Sequence, residues 1–190
     1  NLKFKFFLLF LISLVFLSIS LLLKPFALFL IVPPIGYLVL KEFIKSGKKF
    51  YWFMGLLVYW VTGLLPLLLW RQWISQFPEG VPANMWLLNG DGIRFKGAWF
   101  YWLFAERIGR LILGYWGAFF LGLGILSGFG KSGKSGKYGK FYLFWLIGAL
   151  GYLAVVATGN VRHDYYQILI MPVICVFVAK GILFLLTEDK

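Results

Sequence analysis

The sequence predicts an all-α fold: a polytopic bundle of transmembrane helices with about six spans. Of the 190 residues, 61% are hydrophobic and only 14% are charged, and the mean hydropathy is +0.84. A water-soluble fold could not bury so much apolar surface, whereas a lipid bilayer solvates it. We expect residues 1–190 to form a single transmembrane domain. We also expect this domain to be a fragment of a longer protein, because an apolar run starts within a few residues of Asn1.

Six apolar runs account for the predicted spans, since about 20 helical residues cross the roughly 30 Å hydrocarbon core. They cover residues 6–23, 26–40, 51–70, 108–127, 141–158 and 168–186. Lys24 and Pro25 separate the first two runs and predict a tight turn or a sharp kink, because proline disfavours helix in the residue before it. Pro33 and Pro34 are expected to bend the second run, which is short.

The distribution of basic residues predicts the orientation of the spans. If the N-terminus is cytoplasmic, 12 of the 19 Lys and Arg residues fall on the cytoplasmic side and seven on the outer side. The positive-inside rule favours this arrangement, which makes both ends of the chain cytoplasmic in the plasma membrane. Anionic lipid head groups and topology then explain the net charge of +12, and no nucleic-acid partner is expected.

Two loops differ in character. Residues 128–140, GFGKSGKSGKYGK, have no apolar periodicity and predict a flexible cytoplasmic linker. Residues 71–107 form an outer loop that Pro, Gly and Asn residues break up. From Ala98 this loop is rich in aromatic residues, and it leads to Glu106, Arg107 and Arg110, a pattern that favours an interfacial helix.

Topology brings three polar segments to the outer side: Lys24, the loop 71–107 and the turn 159–167. A lysine between two apolar spans is costly unless it snorkels or meets an anion. A lipid phosphate is the anion expected at that depth. These segments are therefore the candidates for a functional site.

The turn contains the densest group of functional side chains. Arg162 offers a forked donor for phosphate, His163 can donate or accept a hydrogen bond, and Tyr165 and Tyr166 supply hydroxyl groups. An ordinary interfacial turn explains the same residues equally well, with the aromatic rings as anchors and Asp164 as the N-cap of the last span.

Glu79, Asp91 and Glu106 are the other carboxylates on the predicted outer side. Any of them could act as a general base, although solvated loop charges or a helix-end pair such as Glu106 with Arg110 explain them too. A metal site on His163 and its neighbour is not favoured, because adjacent residues rarely converge on one ion and the chain has one histidine. No cofactor is predicted, and dependence on a divalent metal is left open.

Three passages resemble one family: SLLLKPFALFLIVPPIGYLVL, WLFAERIGRLILGYWG and HDYYQILIMPVICVFVAKGI. The first is similar to an apolar span with a Lys-Pro or Lys-Gly break followed by a proline-bearing helix. The second resembles the segment that leads from an outer loop back into the membrane. The third resembles a pattern of His or Arg, Tyr-Tyr, an apolar run and Pro that opens a late span. This likeness is to the membrane glycosyltransferases of the GT-C type, in particular bacterial family 39, which is related to protein O-mannosyltransferases and aminoarabinose transferases.

The resemblance implies transfer of a sugar from a polyprenyl-phosphate donor to an acceptor lipid, glycan or protein at the outer face. It also implies that the acidic base lies in a first outer loop outside this sequence, so the chain is expected to be inactive alone. Residues that would bind the donor phosphate are Lys24, Arg162, His163 and Tyr166, and possible pocket residues are Asp164, Tyr165, Glu79 and Asp91. A transporter or flippase segment and a non-catalytic scaffold are the alternatives. Mid-span residues that are almost all apolar, and the lack of a visible sequence repeat, argue against a transporter.

Overall fold

The structure, a computed structural model, describes residues 2–47, 49–77, 85–129 and 139–187. These residues are almost entirely helical and include no strand, which confirms the all-α class. The α-helices are α1 (Leu2–Leu23), α2 (Leu28–Lys45), α3 (Lys49–Ile74), α4 (Met85–Asn89), α5 (Gly97–Phe100), α6 (Gly117–Phe129), α7 (Gly139–Val155), α8 (Ala157–Arg162) and α9 (Met171–Thr187). Short 3-10 helices cover Pro25–Ala27, Gly90–Phe95 and Asp164–Ile170, and a π-helix, Tyr101–Ile112, continues α5.

Four helical segments of the described chain are long and apolar enough to cross a membrane: Phe4–Leu23, Pro25–Lys45, Lys49–Ile74 and Asp164–Leu186. A fifth span is present if Gly97–Ile112 and Gly117–Gly128, bent by 108° relative to each other, are counted as one. Helix α7 is apolar but has only 17 residues. The chain therefore has the helices of a membrane protein, while the number of six spans stays a prediction.

The chain divides into two compact units. Unit 1 contains residues 1–28 and 39–83, and unit 2 contains residues 29–38 and 84–190. In unit 1, α1 packs against α3. The hydroxyl of Ser18 donates to the carbonyl oxygen of Gly63 at 3.2 Å, and the rings of Phe10 and Tyr59 lie 5.4 Å apart. A small residue lets the two helices approach each other at this point.

The chain breaks at Lys24, as the sequence predicts. Helix α1 ends at Leu23, Lys24 is extended with φ −154° and ψ 99°, and Pro25 begins the next turn. Proline suits a first helical position because its missing N–H would have no helical partner there. Helix α2 continues through Pro33 and Pro34.

In unit 2, glycines bring helix backbones together in two pairs, α6 with α9 and α7 with α2. A Cβ atom added at Gly124 of α6 would overlap the carbonyl oxygen of Phe177 in α9, and one added at Gly181 of α9 would overlap that of Phe120. Helices α6 and α9 therefore touch backbone to backbone, as small residues permit in apolar helix pairs. A Cβ atom added at Gly148 of α7 would likewise overlap the carbonyl oxygen of Phe29 in α2.

The predicted span 108–127 is not one straight helix. The N–H of Leu113 donates to the carbonyl of Ile108 at 3.0 Å, which is the i to i−5 spacing of a π-helix. Gly114 and Tyr115 then both have positive φ, 56° and 62°, and the helix restarts at Gly117. Two consecutive left-handed residues cannot continue a right-handed helix, so the chain turns sharply here.

Replacing Gly124 by alanine should destabilise unit 2 by about 1–3 kcal/mol, because the added methyl group meets backbone rather than a movable side chain. The matched control is Gly122→Ala on the same helix, where no described atom lies within 4 Å of the new Cβ. The control should be neutral or stabilising by up to about 1 kcal/mol. Unfolding of the chain in phosphatidylcholine nanodiscs measures both variants, and equal midpoints would contradict the close α6–α9 contact.

Candidate functional site

The candidate site lies in unit 2, where the helical chain is interrupted between Val155 and Met171. Helix α7 ends at Val155, α8 spans only six residues, and His163 is extended before the 3-10 helix Asp164–Ile170. Each helix end leaves carbonyl groups without helical partners. Arg94 donates to the carbonyl of Val155 at 3.1 Å, and Arg107 donates to that of Val161 at 3.2 Å. Two arginines thus stabilise the ends of α7 and α8.

A buried polar network holds the interrupted segment together. Gln167 donates through Nε2 to the backbone carbonyl of Asn160 at 2.7 Å and to its Oδ1 at 3.1 Å. Asn160 donates in turn to the carbonyl of Val156 at 2.9 Å, and the Tyr152 hydroxyl donates to the carbonyl of Tyr166 at 3.1 Å. Tyr152 and Asn160 are fully buried and Gln167 is 3% exposed, so these bonds lie away from solvent.

Sequence reasoning missed both amides. Asn160 and Gln167 are the polar residues that flank the charged part of the turn 159–167, and the sequence predicts them to lie in an interfacial turn rather than in a buried one. Asn160 lies two residues after one apolar run and Gln167 directly before the next, and this position is the sequence signal that indicates burial. A polar side chain in that position must find an internal partner.

Side chains around Arg162 form a group that we call the Arg162 cluster: Trp86, Asp91, Arg162, His163 and Tyr166, of which Tyr166 is buried. Nη2 of Arg162 lies 3.4 Å from Oδ2 of Asp91, and its guanidinium carbon lies 5.9 Å from the centre of the Trp86 ring. The His163 ring lies 6.1 Å from Trp86 and 5.7 Å from Tyr166, nearly parallel to the latter at 25°. The cluster combines one cation with three aromatic rings.

The guanidinium of Arg162 is accessible. Its side chain is 60% exposed and that of Asp91 is 74% exposed, so their 3.4 Å contact is a weak, solvated ion pair. The remaining N–H groups of the fork can bind a second anion such as a phosphate. The structure thus brings together Asp91, Arg162, His163 and Tyr166 out of the residues predicted from the sequence.

The other predicted residues have different outcomes. Lys24 lies in unit 1, where partial burial lowers the pKa of its ammonium group by desolvation, and its phosphate-binding role stays a prediction. Glu79 lies outside the described residues. Glu106 forms an ion pair with Arg110 at 2.6 Å, so the helix-end pair is confirmed. Asp164 does not cap a helix, because His163 occupies the N-cap position of the 3-10 helix and Asp164 lies in its first turn.

An open cleft of about 280 Å³ lies between the π-helix and the 3-10 helix of unit 2. Its walls include Arg107, Asp164, Tyr165, Gln167 and Ile168. Two of the possible pocket residues, Asp164 and Tyr165, thus line the same cleft. We refer to it below as the Arg107–Gln167 cleft.

A second cavity, of about 210 Å³, lies among the π-helix, α6, α7 and α9 and has an apolar lining in the described part of the chain. It contains no group able to bind charge, which limits it to apolar contents. In residues 2–47, 49–77, 85–129 and 139–187, no three His, Cys, Asp or Glu side chains come close enough to hold a metal ion.

The chain matches no known protein family, no curated protein and no solved structure. The ligands that the site can bind therefore follow from its own geometry. An exposed guanidinium framed by aromatic rings can bind an anion and stack against a planar or ring-shaped group.

Replacing Asn160 by alanine should destabilise the chain by about 1–3 kcal/mol, because it leaves buried Nε2 of Gln167 with fewer acceptors. Tyr152→Phe, which removes one buried hydroxyl, should cost about 0.5–1.5 kcal/mol. Unfolding in nanodiscs measures both, with Gln72→Ala on the exposed surface of α3 as the control. A change no larger than that of the control would show that the network does not support the fold.

Replacing Arg162 by glutamine, or Asp91 by asparagine, should change the free energy of unfolding by less than about 1 kcal/mol, because both side chains of this ion pair are exposed. The same unfolding measurement tests this. A loss as large as that of Asn160→Ala would assign Arg162 a structural role and remove it as a functional probe.

Proposed function

We propose that the chain is the C-terminal membrane portion of a glycosyltransferase, which moves a sugar from a polyprenyl-phosphate donor to an acceptor lipid, glycan or protein at the outer face of the membrane. The observation that carries the proposal is the Arg162 cluster. Its accessible cation lies two residues before the apolar segment Asp164–Leu186. A lipid phosphate is complementary to this arrangement, because its anionic group lies where its hydrocarbon chain begins.

In the proposed reaction, an acceptor hydroxyl oxygen forms a bond to the anomeric carbon while the bond from that carbon to the donor phosphate oxygen breaks. The electron pair of the broken bond stays on the polyprenyl phosphate, which leaves with additional negative charge. The hydroxyl proton passes to a carboxylate that we propose to lie outside this sequence. A cation placed where charge develops lowers the barrier to such a step.

The cluster supplies what this step requires from the present chain. The fork of Arg162 would bind the leaving phosphate, and His163 and Tyr166, in ring contact with each other, would add hydrogen-bond donors. Lys24 is proposed to bind donor phosphate too, a role that follows from the resemblance alone. Trp86, already 5.9 Å from the guanidinium carbon, offers an aromatic face beside the charge.

The proposed topology has six spans, cytoplasmic termini and an outer loop 71–107 that ends in an interfacial helix. The 108° bend between Gly97–Ile112 and Gly117–Gly128 supports only the interfacial helix of this proposal: with Gly117–Gly128 directed into the membrane, Gly97–Ile112 lies close to the membrane plane. Exposed Tyr101 and Trp102 on the first helix suit head-group depth.

In the full-length enzyme, Arg162→Ala should lower kcat/KM for sugar transfer about 100-fold, as removal of one donor to a developing oxyanion does elsewhere. Arg162→Lys should retain part of the activity, because it keeps the charge but loses the fork. The measurement is transfer of labelled sugar from a polyprenyl-phosphate donor in membranes. Arg110→Ala is the control: this arginine forms an exposed one-turn pair with Glu106, a kind of pair worth a few tenths of a kcal/mol, so its loss should leave turnover unchanged.

Unchanged turnover in both Arg162→Ala and Lys24→Ala would rule out the phosphate role. Substrate uptake by the intact protein without any sugar transfer would instead identify a transporter or flippase. Free tolerance of substitutions throughout residues 162–167 would identify a membrane scaffold.

A further inference from the structure

One side of α7 forms an open apolar groove that begins at a lysine. The groove has a volume of about 240 Å³. Its lining residues in the described chain follow each other at helical spacing and so share one side of α7: Lys140, Leu143, Phe144, Leu146, Ile147 and Leu150. Phe144, Ile147 and Leu150 are 37%, 57% and 47% exposed, so the floor of the groove is open to the surrounding medium.

Two contacts within unit 2 fix side chains of this groove. The ring of Phe144 stacks on that of Tyr37 in α2, with the ring centres 5.0 Å apart and the ring planes at 17°. Leu143 packs at the end of α6, where its Cδ2 atom would lie 3.1 Å from a Cβ atom added at Gly128. Because both contacts form within the chain itself, a ligand would meet a groove that is already shaped.

Lys140 places a positive charge at one end of the groove. Its side chain is exposed, and it forms no ion pair with any other residue that the structure describes. The sequence contains no Asp or Glu between Glu106 and Asp164. A lysine at the end of an apolar helix face can keep its stem in the apolar region and extend its ammonium group to the interface. The groove is thus apolar along its length and cationic at its end.

The length of the groove matches one leaflet of a bilayer. From Lys140 to Leu150 it follows about 15 Å of the helix axis, which is half of the roughly 30 Å hydrocarbon core. Its lining ends at Leu150, five residues before α7 ends at Val155. A partner helix that crosses the membrane would need contacts along all of α7 and a carboxylate opposite the lysine. A phospholipid needs only a cation at the interface and an apolar surface as long as one acyl chain.

We infer that this groove binds one anionic phospholipid, with the lipid phosphate at Lys140 and an acyl chain along Leu143, Ile147 and Leu150. The predicted orientation places Lys140 on the cytoplasmic side, where anionic lipids are concentrated. The site is separate from the Arg162 cluster and does not depend on the proposed sugar transfer. Lys140 lies in the first turn of α7, about 22 Å along the helix axis from Val155, the end to which Arg94 donates.

The test uses the full chain in phosphatidylcholine nanodiscs that contain a minor fraction of phosphatidylglycerol with a diazirine on one acyl chain. After irradiation, mass spectrometry locates and quantifies the labelled residues. Lys140→Gln should lower labelling of residues 143–150 about fivefold, the effect of one lysine near an anionic membrane surface. The matched control is Lys41→Gln, which removes the same charge from an exposed position of α2 that does not line the groove and should leave labelling unchanged.

A second pair of variants tests the apolar part of the groove. Ile147→Trp fills the groove from an exposed position and should remove labelling of Leu143 and Leu150. Ile182→Trp adds the same ring at an exposed position of α9 outside the groove and should leave it unchanged. Both substitutions exchange one exposed apolar side chain for another, so both variants are expected to fold.

Groove labelling that is stronger with phosphatidylglycerol than with a phosphatidylcholine probe, and that Lys140→Gln and Ile147→Trp both reduce, is the expected result. Equal labelling by the two probes, or undiminished labelling in either variant, would overturn the site. Arg162→Ala should leave the labelling unchanged, whatever it does to sugar transfer. Loss of the labelling in Arg162→Ala would assign the lipid to the Arg162 cluster and would also overturn the site on α7.

Discussion

Backbone carbonyl groups that lose their helical partners in an apolar protein must be bonded by something else, and this requirement shapes unit 2. Between residues 155 and 171 the chain interrupts its helix twice. Arg94 and Arg107 donate to the carbonyls of Val155 and Val161 at these breaks, and the Asn160 side chain adds a second bond to the carbonyl of Val156, which also accepts the backbone N–H of Asn160. A break without such donors would bury unpaired backbone, which costs several kcal/mol per group in an apolar medium.

The need to bond free backbone carbonyl groups distinguishes Arg94 and Arg107, which meet it, from Arg162, which does not. Arg94 and Arg107 bond to helix ends and are only partly exposed, so they are committed to the fold. Arg162 contacts an exposed carboxylate and keeps most of its side chain in solvent. Its guanidinium is therefore available to a ligand, while the buried amides of Asn160 and Gln167 bond the segment that carries it.

Packing below this segment depends on glycine. Because α6 and α9 touch through Gly124 and Gly181, α9 is held at a short distance from α6, and the 3-10 helix that precedes α9 is held with it. The bend at Gly114 and Tyr115 turns the π-helix away from the direction of α6, so that Arg107 reaches α8 and one wall of the cleft forms. Backbone geometry at two points thus positions side chains that are distant in sequence.

The sequence by itself determined the all-α class, the break at Lys24 and the concentration of charged and aromatic side chains at residues 162–166. It also determined the pair of Glu106 with Arg110, which one turn of helix brings together. Each of these follows from composition or from neighbours within a few residues.

Only the tertiary structure decided that Asp91 meets Arg162 across 71 positions, and that Asn160 and Gln167 turn inward to each other. It also decided that the run 108–127 bends instead of forming one straight helix. The physical reason is common to all three. An apolar run indicates that a segment is buried but carries no information about its partner, and whether a polar side chain faces solvent or a buried carbonyl depends on which distant backbone groups the fold leaves unpaired.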